Sequence, residues 1–168
     1  MTITIIAAVD TEFGIGNSEN DLLFDYANDK KHFKSITSGK IVVMGRRTWE
    51  SLPKKPLEKR KNYVLTGDYD FSPAGAKTVN SIGEILQLGK KHDIYIIGGS
   101  TLYKQLMPFA DKMILTHIHT KHPDSAVFFP EFTFKDWKLE TMTENEADEL
   151  HDHSYTFATY SNKNKITI

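Results

Sequence analysis

Ile41-Val42-Val43-Met44-Gly45-Arg46-Arg47-Thr48 and Ile94-Tyr95-Ile96-Ile97-Gly98-Gly99-Ser100-Thr101 are two apolar runs that each break into a glycine turn and then a helix-forming segment. An uninterrupted run of β-branched and bulky residues fits a strand buried on both faces of a parallel sheet, which has no water-facing side to alternate with. Glycine lets the backbone turn tightly. The helix that follows aims unpaired N–H groups and the positive end of its dipole above the sheet edge, which favours phosphate. Arg46 and Arg47 add positive charge there. Either turn alone fits close helix-to-strand packing as well as it fits a phosphate. Two in one short chain point to a dinucleotide lying across the sheet edge.

The 168 residues make one domain, spanning residues 1–168, that can bury roughly 68–70% of its unfolded surface without staples. The absence of cysteine excludes thiol catalysis, zinc ribbons and cysteine-held iron–sulfur clusters, and it suits a reducing cytoplasm. A formal charge of -1 gives no pull toward nucleic acid or an anionic membrane, so neither is expected as a partner. Met1 to Val9 is apolar but has no basic leader and is stopped by Asp10 and Glu12. It reads as a strand, neither signal peptide nor membrane span.

Periodicity places strands at Thr2–Val9, Ile41–Met44, Asn62–Leu65, Lys77–Val79, Ile94–Ile97, Met113–Ile118, Trp137–Thr141 and Tyr155–Tyr160. Helices fall near Asp25–Thr37, Arg46–Leu52, Ser81–Lys90 and Ser100–Met107. The alternation predicts an α/β fold: a central, mostly parallel sheet of eight strands with about four flanking helices. The last two strands follow each other without a helix, so the sheet should end in an antiparallel edge. Ser81 with Glu84 reads as a capping box, Asp25 as an N-cap, and Pro108 as a helix stop. Two loops are long enough to carry function, Thr11–Phe24 and Pro53–Lys61.

On the first helix Tyr26, Phe33 and Ile36 share an apolar stripe, and Asp29 falls on that stripe. A carboxylate on an apolar face must be hydrogen-bonded, paired or functional, because burying it bare is costly. A place at the stripe's edge, or a lysine partner, would satisfy it structurally. The sharper reading is a ligand anchor, since a desolvated carboxylate can accept two parallel N–H bonds from an amidine-like heterocycle such as a pterin or guanine. The same desolvation raises its pKa toward acid–base work.

Ile6-Ala7-Ala8-Val9 followed by Gly14-Ile15-Gly16, Asp29 with Phe33-Lys34, Met44 through Ser51, Pro56 through Asn62, Ile97-Gly98-Gly99-Ser100, Tyr103, Thr116-His117-Ile118, Phe129-Pro130 and His153-Ser154-Tyr155 occur in one order and spacing. By these strings, over nearly its whole length, the chain resembles the dihydrofolate reductases. The resemblance implies a monomeric cytoplasmic enzyme that uses NADPH to reduce 7,8-dihydrofolate to 5,6,7,8-tetrahydrofolate, and that is a target of antifolates. It implies that Asp29 anchors the pterin and promotes protonation at N5, that Tyr103 sits beside nicotinamide and pterin, and that Thr116 hydrogen-bonds near Asp29. Ile6, Ala8, Phe33, Leu57 and Ile97 become the apolar walls. Arg60 would grip the α-carboxylate of the folate tail, with Lys55 assisting from the surface; lysine cannot copy the planar fork. For the cofactor it implies Gly45, Arg46, Arg47 and Thr48 around phosphate, with Arg47 and Thr66 nearest the 2′-phosphate. It further implies Gly98, Gly99, Ser100, Thr101, Leu102 and Tyr103 beneath the pyrophosphate and nicotinamide, and contacts from Ala8, Ile15, Gly16, Asn20, Leu65, Asn80 and Ile97.

The chain departs from the family pattern at several points. Leu23-Phe24 stands where the family has Pro-Trp, and Ser125-Ala126-Val127 where an acidic segment usually secures the mobile loop. Lys30 follows Asp29 where many relatives carry an apolar or neutral side chain, so it should touch substrate or inhibitor differently. Thr101 replaces an arginine of some relatives. Lys54, Lys55, Lys59, Arg60 and Lys61 otherwise read as a solvated basic loop. The histidines at 117, 119, 122, 151 and 153 share strand-like spacing but lack a metal-binding motif, so no metal is expected. The alternatives to this activity are a pyrimidine reductase of riboflavin synthesis with the same fold, and a nucleotide-binding or structural relative without turnover.

Overall fold

The computed structural model describes residues 1–167. In chain order it contains β1 (Ile3–Val9), β2 (Gly14–Gly16), α1 (Ala27–Thr37), β3 (Ile41–Gly45), α2 (Arg46–Ser51), β4 (Lys61–Leu65) and β5 (Ala76–Val79). Then follow α3 (Ile82–Lys91), β6 (Ile94–Ile96), α4 (Ser100–Leu106), a 3-10 turn at Met107–Phe109, β7 (Lys112–Ile118), β8 (Val127–Phe128), β9 (Trp137–Asn145) and β10 (Tyr155–Asn162). Eight strands form the main sheet in the order β5-β4-β3-β6-β1-β7-β10-β9. All pairs from β5 to β7 are parallel. β10 runs antiparallel to both β7 and β9, as the missing last helix requires.

The apolar run of β3 divides between two layers. Ile41 and Val43 belong to the larger core, which holds Ile85 of α3 and Leu102, Tyr103 and Leu106 of α4, while Val42 and Met44 pack with Trp49 of α2. A third cluster joins Tyr26, at the start of α1, to Ile118 and Tyr155. Helices therefore cover both faces, which is why the central strands carry no alternation. α3 starts as its sequence predicts: Ser81 Oγ accepts the Glu84 N–H at 3.2 Å, and Glu84 reaches back to the Asn80 N–H at 3.3 Å.

Three expectations change. The residue capping α1 is Tyr26, which makes no side-chain cap bond, because Asp25 lies one residue too early and instead pairs with the Lys30 ammonium on the surface. β9 runs on to Asn145, beyond the expected Thr141, since β10 pairs with it along its full length. A second, two-stranded sheet of β2 and β8 joins the Thr11–Phe24 loop to the stretch before Phe129. These strands are two and three residues long, too short for periodicity to register.

Because the strands from β5 to β7 are parallel, their carboxyl ends meet along one edge. That edge carries Val9, Gly45, Leu65, Val79, Ile96 and Ile118. The β9–β10 connection returns to the same edge, since Tyr155 pairs with Ile118. β6 lies between β1 and β3, so the chain order reverses beside β1 and leaves the crevice where open α/β sheets take ligands.

Candidate active site

The two glycine turns lie against each other at this edge. The Gly45 N–H donates to the Gly98 carbonyl at 2.8 Å, and the Ile97 N–H to the Val43 carbonyl at 3.0 Å. Gly98 and Gly99 are joined by a cis peptide bond, and Gly98 has φ +133°, a conformation that L side chains rarely adopt. A Cβ at Gly98 would stand 3.3 Å from Thr48 Oγ1, so the turn is a narrow backbone cradle with Thr48 as one wall. Gly45 and Gly99 cap α2 and α4 without side-chain cap bonds. Both helices thus present backbone N–H groups at the sheet edge.

Around this cradle Arg47 is exposed, whereas Arg46 is engaged by Glu50 at 2.9 Å and Asp68 at 3.0 Å and stacks over Phe71. Those two bonds leave the Arg46 guanidinium less available to phosphate than its position in the sequence suggests. Thr66 is buried just past Leu65, and its carbonyl accepts the Asn80 side-chain amide at 2.8 Å. Ser100 Oγ donates to the Phe128 carbonyl at 2.6 Å, tying the second turn to β8. Thr101 is exposed and Leu102 is in the core. The Tyr103 hydroxyl, buried behind the Gly98 turn, donates to the Ile6 carbonyl at 2.7 Å, and burial pushes its pKa far up. Tyr103 therefore stays neutral at any working pH.

On the other side of β1, Ala8 is level with Thr116 of β7, and the Thr116 hydroxyl donates to Asp29 Oδ1 at 2.6 Å. Asp29, in the first turn of α1, is half-buried. Desolvation pushes its carboxyl above the ordinary carboxylate range, against the smaller opposite pulls of the Thr116 bond and the neighbouring His32. His32 is stacked on Phe157 with ring centroids 3.9 Å apart, and burial lowers its pKa. Ala8 and Phe24 pack beside Tyr26 and Ile118, while Leu57 and Ile97 pack against the Val42–Met44 layer. Ile6 of β1 is buried.

One turn along α1 from Asp29, the Arg60 guanidinium lies over the Phe33 ring at 5.7 Å. Its Nε donates to the Glu58 carbonyl and its Nη1 to Thr37 Oγ1, at 2.8 and 3.1 Å. These bonds fix the plane of the fork. Lys55 is arranged differently from its expected reach toward a folate tail: its ammonium donates to the Trp49 and Glu50 carbonyls, closing the end of α2. Lys30 likewise turns to Asp25.

The Thr11–Phe24 loop is tied down by a carboxylate the sequence did not single out. Asp10 is buried at the end of β1; its Oδ1 accepts the Glu12 and Gly14 N–H groups, and its Oδ2 accepts the His122 N–H and the Ser125 hydroxyl. Burial pushes the Asp10 pKa up, but these four bonds outweigh it and hold the group below its ordinary value. Ser125 thus joins the two loops without a charge of its own. Ala126 adds an N–H bond to the Gly16 carbonyl at 2.9 Å. Ile15 packs on the larger core, and Asn20, at φ +65°, sits in a turn closed by the Asn17 side chain.

A second residue missed in the sequence is His151, which is 1% exposed and bonded to α1. Its partner lies 123 residues away, so no local pattern could reveal the contact. Of the other histidines of that group, three bond to hydroxyls, His117 to Tyr160, His119 to Ser154 and Thr156, and His153 to Tyr26, while His122 Nδ1 accepts the Asp124 N–H. Among the described residues no three histidine or carboxylate side chains come together as metal ligands. A cavity of about 640 Å³ lined by Met107, Pro130, Phe132 and Trp137 lies by the start of β7, away from all the residues expected to bind ligand.

Known proteins share this sequence pattern and fold. The family model described as dihydrofolate reductase matches residues 2–162. A dihydrofolate reductase of Staphylococcus aureus is 39% identical over 157 residues, 94% of this chain and 96% of that protein. One from Bacillus subtilis is 37% identical over 163 residues, covering 96% and 95%. The solved structure of the Enterococcus faecalis dihydrofolate reductase, complexed with NADP(H) and RAB-propyl, superposes with a TM-score of 0.91 at 31% identity, covering 96% of each chain. With its family model spanning nearly the whole sequence and its fold matched end to end, this chain belongs to the dihydrofolate reductase family.

Proposed function

We infer that the protein catalyses the NADPH-dependent reduction of 7,8-dihydrofolate to 5,6,7,8-tetrahydrofolate, an oxidoreductase reaction that serves one-carbon metabolism. The observation that carries this reading is the pairing of Asp29 with Thr116 at the same sheet edge as the interlocked Gly45 and Gly98–Gly99 turns. One side offers a desolvated carboxylate for a heterocycle, the other a backbone cradle for phosphates.

The chain's own residues fit the cofactor. A Cβ at Gly98 would crowd Thr48 Oγ1 at 3.3 Å, and the bare glycine backbone there suits close approach of a pyrophosphate. Exposed Arg47, with Thr48 and Thr66, is our choice for the 2′-phosphate, since Arg46 is already engaged by two carboxylates. Gly45, Leu65, Asn80, Ser100, Thr101 and Leu102 complete that side, with Ile15, Gly16 and Asn20 above it. When bound, NADPH supplies the hydride that reaches pterin C6.

The remaining steps belong to the protein. As a carboxylate Asp29 accepts hydrogen bonds from the pterin 2-amino N–H and N3–H, and its negative charge in a desolvated site favours the protonated ring at N5, to which water delivers the proton. Thr116 fixes the carboxylate's orientation. Ile6, Ala8, Phe33, Leu57 and Ile97 exclude water and hold the ring against the nicotinamide, and Tyr103 holds the β1 backbone at Ile6 beneath both. Orientation in a dry cleft is the main catalytic contribution. Arg60 takes the tail α-carboxylate with its fixed fork, while Lys55 and Lys30 are held away from it by the α2 carbonyls and by Asp25. We further propose a single domain, a monomer in the cytoplasm, and inhibition by antifolates at the pterin site. No described helix is long and apolar enough to cross a membrane.

The test is the fall in NADPH absorbance on adding dihydrofolate. Turnover that methotrexate blocks is expected. Absence of turnover in protein whose fluorescence still quenches with NADPH would overturn the reading.

A further inference from the structure

The start of α1 lacks what a helix start normally has. Tyr26 at the cap offers no side-chain acceptor, and the first-turn N–H groups need partners. One partner comes from the far end of the fold: His151, in the β9–β10 connection, places Nε2 3.2 Å from the Asn28 N. Its Nδ1 lies 2.7 Å from Asp148 Oδ1, and Asp148 and His151 also form a backbone bridge. The partners dictate the tautomer. Asp148 as a carboxylate only accepts, so Nδ1 carries the proton, and the Asn28 N–H only donates, so Nε2 presents its lone pair. The ring is held edge-on to Tyr26 at 5.0 Å and tilted against Tyr155 at 5.1 Å. Tyr155 in turn accepts the Asn28 side-chain amide at 2.7 Å.

Asn28 is therefore gripped through both backbone and side chain, and the next residue is Asp29. We propose that His151 is a positioning residue for dihydrofolate reduction: an N-cap supplied from the β9–β10 connection that sets the first turn of α1 and so the aim of the Asp29 carboxylate. Thr116 fixes that carboxylate from the sheet side, and His151 fixes the backbone that carries it. Loss of the cap leaves the Asn28 N–H without its acceptor and frees the turn to shift, and small displacements of a substrate-holding group lower turnover steeply. The proposal rests on the dihydrofolate reductase reading above.

The experiment compares wild type, His151→Leu and His151→Gln, measuring kcat and KM for dihydrofolate alongside the Kd for NADPH. The Leu variant keeps the volume without an acceptor; the Gln variant keeps an acceptor oxygen. Expected for His151→Leu is a rise in KM for dihydrofolate and a fall in kcat that together lower kcat/KM by about tenfold or more, in keeping with the sensitivity of rate to substrate placement. The Kd for NADPH should not change, because the cofactor cradle lies across β1. His151→Gln should recover most of the loss. Unchanged kcat/KM in the Leu variant, or a loss shared equally by NADPH binding and not recovered by Gln, overturns the proposal. Should His151→Leu fail to fold, nitrogen-15 NMR of the wild type decides: coupling across the hydrogen bond between the Asn28 amide and an unprotonated Nε2 is expected, and a protonated Nε2 refutes it. Wild-type protein inactive with dihydrofolate would instead overturn the parent reading.

Discussion

Asp29 combines two demands that conflict. Desolvation lifts its pKa above the ordinary carboxylate value, so the folded chain holds a proton at pH values where the unfolded chain has released it. Stability from this group therefore falls as pH rises from the ordinary carboxylate range to the raised folded value, and stays reduced above it. Asp29→Asn should accordingly raise the melting temperature at neutral pH, by an amount that vanishes near pH 4, close to the unfolded carboxylate pKa. The same change should lower turnover by about 10²-fold or more, the usual scale for a lost acid–base group. Thermal scans across pH and steady-state kinetics check both halves; a variant that melts no higher would mean the carboxylate is not strained by its burial. Arg60 makes a complementary case: Arg60→Lys keeps charge but loses the planar fork, so KM for dihydrofolate should rise about tenfold or more while the Kd for NADPH holds. Both residues could be picked out from the sequence alone. Asp29 broke an apolar stripe and Arg60 matched a family string, but the Thr116 bond and the Phe33 stack that hold them depend on tertiary approach.

At the scale of elements, legibility followed length and local signal. The β3 and β6 runs, the Ser81 cap and the glycine turns all carry their instruction within a few residues, and each forms where expected. Ser81→Ala should cost about 1 kcal/mol and leave kcat/KM untouched, which denaturant unfolding and the reductase assay can read together. β2, β8 and the start of α1 were not legible, since their determinants are Asp10, Ser125 and His151, partners more than a hundred residues apart in two of the three contacts. The Asp10 knot makes its own prediction. Asp10→Asn places an amide against N–H and hydroxyl donors, so hydrogen exchange should accelerate in residues 11–24 and 122–128 while β1 and β7 stay protected; uniform exchange would mean the knot holds nothing. Because the folded Asp10 pKa lies below its ordinary value, this support is present above the unfolded carboxylate pKa and disappears as pH falls through the folded one.

Across the whole molecule, one sheet edge gathers residues from nearly every part of the chain. Parallel strands bring their carboxyl ends together whatever their order, so the fold class, once read from alternation, already located the site to an edge. What alternation could not give is strand order: that β6 slots between β1 and β3, and that β10 lies inside β9, are outcomes of packing between distant segments. Gly98→Ala should test how rigid that edge is. With φ +133° and Thr48 Oγ1 only 3.3 Å from a Cβ, the substitution should cost roughly 1–3 kcal/mol and weaken NADPH binding more than dihydrofolate binding, as titration of each ligand would reveal.

The strap from His151 to Asn28 also imposes an order in time. Every side chain assigned here to substrate or cofactor lies within residues 6–116, yet β7 lacks its neighbour β10 until residues 155–162 are available to pair, and α1 lacks its cap until the connection before β10 is made. A chain emerging from the ribosome therefore possesses all its binding groups, which end at Thr116, well before β10 at Tyr155–Asn162 is made and can hold them still. Catalytic competence should appear in one late step, as β10 inserts between β7 and β9, rather than growing with the length of chain made.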